Sequence, residues 1–309
     1  MKQFIPRAWE GIDFERMNWR RIKDRIAGKS MFLAVLFANT IVLFITAGLF
    51  LKSWPILAQK PIFHLLLSSS WSPLKGRFGL YPFIIGTVEV TAIAMILSVP
   101  VCLLSAVYLS EYAHRRFREL TRFVLDVMAA IPSVIYGLWA VWVVVPFVSI
   151  LGEGLGSATT GYSLLAGGII LAIMVSPIII SVSMEVLSSV PLQAREAALA
   201  LGATRWEAIK HVIFRKASHG ILSAILLGFA RAFGETIAVL MVVGNVPRVP
   251  SSLFDPAYPL PALLANNYGE MMSVPLYDSA LLLSALMLLL VVACFSVTAH
   301  LTLLRIGKE

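Results

Sequence analysis

Apolar and polar positions alternate along this chain in long blocks, not at the short period of a surface helix or strand. Six runs are long enough to cross a membrane: Met31–Leu51, Pro82–Leu109, Arg122–Val148, Tyr162–Leu187, His219–Asn245 and Asp278–Leu304. The first, of 21 residues, makes a helix of about 31 Å against a hydrocarbon core of about 30 Å. Pro100, Pro132 and Pro177 fall inside three of the runs and predict kinks. Between the runs lie a polar tail (1–30), a loop with Trp54, Pro55, Trp71 and Pro73 (52–81), and a short basic loop (110–122). A glycine-rich loop (Leu151–Gly161) follows, then an amphipathic stretch (189–218) and a proline-rich segment (246–277) with an expected fixed, extended path. The fold class predicted is an all-α membrane protein of six transmembrane helices. Its first helix is 31–51, the five others make a core over 82–304, and a short tail covers 305–309.

Charge supplies the orientation. The chain carries 25 Lys and Arg; nineteen lie in 1–30, 110–122, 189–218 and beyond 304, five lie in 52–81 and 246–277, and Arg231 stands alone within a run. By the positive-inside rule both termini are expected in the cytoplasm. The net charge of +8 is therefore a topology signal and not a nucleic-acid footprint. With 59% hydrophobic and 14% charged residues, the partner medium is membrane lipid. Cys102 and Cys294 both fall inside apolar runs, so no disulfide framework is expected. The tail ending Gly28-Lys29-Ser30 has the close of a phosphate-binding loop but Lys23 where its first glycine belongs, so any ATP must be bound by a partner.

The stretch Glu196–Arg215 is the longest amphipathic segment. Glu196, Ala197 and Ala198 open a first short helix, Gly202 interrupts it, and Arg205–Phe214 forms a second with Trp206, Ile209, Val212 and Ile213 at helical spacing. Glu-Ala-Ala followed by Gly202 resembles the EAA loop of ABC importer permeases. The resemblance implies that Glu196, Ala197, Ala198, Gly202 and Arg205 dock a separate ATPase subunit. Arg215 stands where that pattern has proline, so the second helix is expected to run on.

Ionisable residues inside spans cost about 2.5–3.5 kcal/mol on insertion scales and face a cavity or a partner. Glu89, Asp126, Glu185, Arg231 and Glu235 are the candidates. Asp126 and Glu185 fall near expected cytoplasmic ends and read as structural. Glu89, two turns into the second span, either lines a pathway or pairs with a polar neighbour. Arg231 and Glu235 are four residues apart, so one helix face is expected to carry both, with Glu235 neutralising the guanidinium between visits of an anion. A buried ion pair that only fixes helix packing is the bland alternative.

Ile131–Trp139 (IPSVIYGLW) and Arg231–Met241 (RAFGETIAVLM) resemble the phosphate importer permeases of the Pst system, closer to the PstC type than to its PstA-type sister. Phe78-Gly79, Pro82 and Gly86-Thr87 fit as well, whereas Glu89 departs from the pattern. The resemblance implies a bacterial inner-membrane subunit paired with a PstA-type sister. ATP and Mg²⁺ would be held by two ATPase subunits, and an extracytoplasmic protein would deliver phosphate. Arg231, Glu235 and Glu89 would line the pathway, and no catalytic or metal-binding residue is expected. Competing readings are a permease for sulfate, molybdate or a small solute, an intramembrane enzyme, and an uncoupled channel. The enzyme lacks support in Gly-x-Ser-x-Gly or His-Glu-x-x-His motifs, and all five histidines sit at polar edges. The channel would have no use for a docking loop.

Overall fold

The computed structural model describes residues 14–270 and 273–306. The chain divides into residues 1–51 and residues 52–309.

In the first unit the helix α1 (Phe14–Gln59) begins. Phe32, Leu33, Phe37, Leu43 and Phe44 are all exposed, which suits lipid and not water. Its polar side chains are satisfied one turn back: Asn39 Nδ2 donates to Val35 O (3.0 Å), and the Thr40 and Thr46 hydroxyls donate to Leu36 O and Val42 O (both 2.8 Å). The helix does not stop at Leu51. It runs through Pro55 to Gln59, so the irregular loop expected from residue 52 starts later.

In the second unit α2 (Ile62–Leu67) and a two-stranded hairpin, β1 (Trp71–Ser72) with β2 (Arg77–Phe78), precede the core. The core helices are α3 (Tyr81–Val107), α4 (Arg115–Ala130), α5 (Ser133–Gly154), α6 (Leu164–Ser188), α9 (Phe214–Gly234), α10 (Ile237–Val242) and α12 (Tyr277–Ile306). Two short helices, α7 (Leu192–Ala200) and α8 (Arg205–Ala208), form the amphipathic stretch, and α11 (Leu260–Asn267) lies in the proline-rich segment. Wide π-type turns at Tyr108–Tyr112 and Ile209–Ile213 extend α3 and lead into α9. Among the described residues six helices are long and apolar enough to span a membrane. Their heart is α3 against α6 and α9, where Val90, Ala94 and Cys102 meet Leu171, Val175, Ile179 and Ala232.

Two expected spans are broken. The third does not run unbroken from Arg122: α4 ends at Ala130, Ile131 and Pro132 are extended, and α5 restarts at Ser133. Pro132 has no N–H to continue the ladder, and the Met128 carbonyl accepts instead from the Tyr136 hydroxyl (2.8 Å) and from Ile131 N (3.3 Å). Asp126 therefore lies, exposed, on the separate amphipathic helix α4. The fifth span is interrupted between Gly234 and Ile237.

The proline-rich segment is folded, not extended. Asp255 O and Leu253 O accept from Leu164 N and Leu165 N (both 2.9 Å), two amides that α6 cannot satisfy itself. Leu260 N donates to the buried Thr87 hydroxyl (2.8 Å), which pins the segment to α3 as well. Asp255 Oδ2 accepts from the Ser251 hydroxyl (2.7 Å), Ser251 N (2.9 Å) and Ser252 N (3.0 Å). These donors, the Ser251 hydroxyl foremost, hold the carboxyl below its ordinary 3.8. A depressed folded value means the turn's contribution is complete above 3.8 and lost as pH falls through the lower folded value. Amide protection factors at Ser251 and Ser252 should therefore hold steady between roughly pH 7 and pH 5 and collapse only in stronger acid. Asp255→Asn should weaken them at every pH.

Orientation has its own test. A cysteine replacing Val249 (39% exposed) leaves the Asp255 turn intact, and one replacing Leu201 (89% exposed) keeps the cap of α7, which Leu201 makes through its backbone N–H. In a Cys294→Ser background, an impermeant maleimide added to intact cells should label the first and spare the second. The reverse would invert the topology.

Candidate translocation site

Arg231 lies in the last turn of α9, half-buried, and its Nε is buried without a hydrogen-bond partner. Past Gly234 the backbone turns extended at Glu235, and Thr236 leads into α10. The Glu235 side chain folds forward: Oε1 accepts from Ala238 N at 3.4 Å, capping the first turn of α10 where an acidic group suits the helix dipole. The expected shared helix face is therefore absent. Among the described residues Arg231 and Glu235 form no ion pair, because the chain between them leaves the helix and Glu235 has an amide to satisfy. The signal for this was Gly-Glu-Thr, a helix stop followed by an acidic helix start.

The helices that restart after the two breaks, α5 and α10, pack against each other. On α5, Gly137 sits so close to α10 that a Cβ there would lie 2.6 Å from Met241 Sδ and 3.1 Å from Ala238 Cα. No larger residue fits without moving α10. Tyr136, next to it, lies within Coulombic reach of Arg231. An apolar cavity of about 290 Å³ beside the first break is lined by Met128, Ile131, Ile135, Tyr136, Trp139 and Ile173. A second, of about 370 Å³, is lined by Tyr162, Leu240, Asn245, Pro256 and Met241, the residue that meets Gly137. Irregular backbone at membrane depth is tolerated where it lines a cavity, and broken helices with a cation beside them suit passage of an anion. Tyr136 was not singled out by sequence reasoning; its place four residues after Pro132, on the first turn of the restarted helix, was the available clue.

Glu89 is elsewhere. It lines a cavity of about 400 Å³ with Ala92, Ile93, Leu164 and Pro250–Leu253, at the level where α6 begins, and its Oε2 is buried without a hydrogen-bond partner.

At the opposite, basic end α7 and α8 form the hairpin. α7 starts at Leu192, after Pro191, so Glu196 sits in mid-helix and not at a helix start as expected. Glu196 and Ala197 are exposed and Ala198 is buried (8%). Gly202 adopts φ +88°, its N–H donates to Leu199 O (3.0 Å), and nothing lies within 4 Å of where its Cβ would be. Thr204 and Glu207 then close a capping box, Thr204 N donating to Glu207 Oε2 (2.7 Å) and Glu207 N to Thr204 Oγ1 (3.3 Å). Leu192, Leu199, Leu201 and Trp206 remain exposed around Glu196 and Arg205, an apolar patch with charges at its rim. With Arg215 in place of proline, the helical path continues from Arg205 through the wide turn to Gly234.

Comparison with known proteins fits this geometry. Residues 98–305 match the family described as binding-protein-dependent transport system inner membrane component. The chain belongs to this family. A phosphate transport system permease protein PstC of Xylella fastidiosa (strain 9a5c) is 35% identical over 257 residues, 78% of this chain and 79% of that protein. A PstC of Mesorhizobium japonicum is 33% identical over 280 residues, covering 86% and 85% of the two chains. The fold matches a bacterial ABC transporter involved in import of the acidic polysaccharide alginate, with a TM-score of 0.57, 14% identity, and 94% and 99% of the two chains covered. As a binding-protein-dependent inner membrane component, the chain is a transporter subunit with the ABC importer permease fold. It works with ATPase and substrate-binding partners, in an inner membrane that it crosses several times.

Proposed function

We propose that this chain forms half of the pathway of an ATP-driven importer of inorganic phosphate, with Arg231 as the cationic contact for the passing oxyanion. The observation that carries the reading is the half-buried Arg231, unpaired at Nε and unneutralised by Glu235, beside the breaks in two helices. A planar fork of donors suits a tetrahedral oxyanion, and a single cation holds the anion without trapping it. The relatives named as phosphate permeases, aligned over most of both chains, support phosphate as the anion. In this reading Glu235 fixes the start of α10 and so keeps the break open. Glu89 stands at the outer mouth, away from the transient binding point.

The other half of the pathway is a PstA-type sister. ATP and Mg²⁺ belong to the ATPase subunits, which dock on Glu196, Ala197, Ala198, Gly202 and Arg205. An extracytoplasmic phosphate-binding protein delivers the substrate. The test is ATP hydrolysis by the purified complex in the presence of its binding protein and phosphate, sulfate or molybdate. Stimulation by phosphate alone is expected; equal stimulation by sulfate or molybdate would reject phosphate as the specific substrate.

A further inference from the structure

Four separate elements converge on the turn Tyr108–Tyr112 that ends α3. Arg195, on the inner side of α7, reaches Glu111 Oε1 with Nη2 at 3.0 Å, and the same Nη2 donates to Leu187 O (2.7 Å) at the end of α6. Arg118 of α4 donates to Ser110 O (2.9 Å), and the Arg205 guanidinium of α8 lies 5.7 Å from the Tyr112 ring centroid. The Arg195–Glu111 pair is largely out of water, with side chains 21% and 11% exposed. Below it Val107, Leu109, Leu187, Ile209 and Ile213 pack as one apolar cluster. Beside it lies a groove of about 200 Å³ lined by Glu111, Arg195, Glu196 and Arg205.

We propose that Arg195 and Glu111 are a positioning pair that carries movement of the docking helix α7 into the transmembrane helix α3. The inference rests on the reading of α7 and α8 as the ATPase-docking hairpin. Glu196 and Ala197 face outward from α7, whereas Arg195, the residue before them, points inward, so the helix has one side for a partner and one for α3. An arginine suits this place because its planar fork can present Nε and Nη2 side by side to one carboxylate, which an ammonium cannot do. The fork is half used. Arg195 Nε is buried without a hydrogen-bond partner, and Glu111 Oε1, though 3.0 Å away from Nη2, is off the hydrogen-bonding direction. A rotation of α7 lets Nε and Nη2 close side-on upon Glu111, so the pair tightens as α7 moves and pulls the end of α3 with it. α3 in turn is packed along α6 and against α9, the helix that carries Arg231.

The test uses the full complex with Glu111→Gln, Arg195→Gln and the double substitution. Each single variant is expected to co-purify with the ATPase subunits at the wild-type ratio and to hydrolyse ATP within about twofold of wild type. Phosphate moved per ATP should fall about tenfold or more, and the double variant should be no worse than the singles, since either change opens the same joint. Loss of ATPase co-purification would make the pair a brace of the docking surface and overturn the proposal. An unchanged phosphate-to-ATP ratio, or a double variant in which the two losses multiply, would overturn it too. A second readout does not depend on the substrate: a fluorophore on Ile96→Cys of α3 in a Cys294→Ser background. ATP-induced change of its signal should occur in the wild type and vanish in Glu111→Gln. Persistence of that change in the variant refutes the joint. Absence of phosphate transport in a wild type that keeps the fluorescence change refutes only the substrate assignment.

Discussion

Replacing Arg231 by lysine should remove most phosphate uptake while leaving the subunit inserted, assembled and able to support basal ATP hydrolysis. The guanidinium is half-buried beside the helix breaks, with Nε unpartnered and no ion pair to Glu235. Lysine keeps the charge but presents a point donor on a different reach, so the paired contact with a tetrahedral anion is lost. Loss of an ionic hydrogen bond is worth about 1.5–3 kcal/mol, which slows passage roughly ten- to a hundredfold if the contact stabilises the rate-limiting step. Glu235→Gln separates the two roles that glutamate could have. As a cap of α10, glutamine still accepts from Ala238 N and uptake should fall only a few-fold; as a counter-ion, its loss would strengthen anion binding and slow release. Uptake in Arg231→Lys at wild-type abundance is the measurement, and near-normal uptake would take Arg231 out of the pathway.

Gly202→Asp should insert normally yet lose the ATPase subunits. Gly202 holds φ +88°, where a side chain costs about 1–3 kcal/mol, and no atom within 4 Å would be struck by a Cβ. The cost is therefore conformational within this chain, too small and too local to unfold six spans. It falls on the turn that aligns α7 with α8, and the new carboxylate projects from the surface formed by Leu199, Leu201 and Trp206. A docking loss of about 1.4 kcal/mol already lowers affinity tenfold. Co-purification of the ATPase in mild detergent should fall by at least that factor, with membrane abundance within about twofold of wild type. Gly202→Ala, with the strain and little of the bulk, should fall between. Full retention of the ATPase by Gly202→Asp would dismiss the hairpin as its docking element.

The spans and the hairpin were legible because each is local. An apolar run of sufficient length, a basic loop and a glycine at a fixed distance from Glu-Ala-Ala need no knowledge of neighbours. The interruptions were not legible in that way. Gly234, Glu235 and Thr236 sit inside a run long enough to cross the membrane unbroken, which masked the local Gly-Glu-Thr signal; the packing of α10 against Gly137 and the capping by Glu235 show what the break serves. Pro132 was visible as a kink, but the apolar residues on both sides hid that α4 is a helix of its own. The prolines of 246–277 suggested an extended path; the unsatisfied amides of Leu164 and Leu165 instead draw that segment into a folded cap. Glu111 lies in a basic loop that served only to orient the chain, and Arg195 stands just before the Glu-Ala-Ala signal without being part of it. Their pairing joins positions far apart in sequence and has no local signature.

In the proposed function phosphate passes through a pathway to which Arg231 contributes. The most direct measurement is uptake of labelled phosphate into liposomes holding the purified complex, with ATP on the ATPase side and the binding protein on the other. Accumulation that requires both ATP and the binding protein, persists with excess unlabelled sulfate and is cut at least tenfold by Arg231→Lys is the expected result. Accumulation of sulfate or molybdate in preference to phosphate, or phosphate accumulation indifferent to Arg231→Lys, would contradict the account.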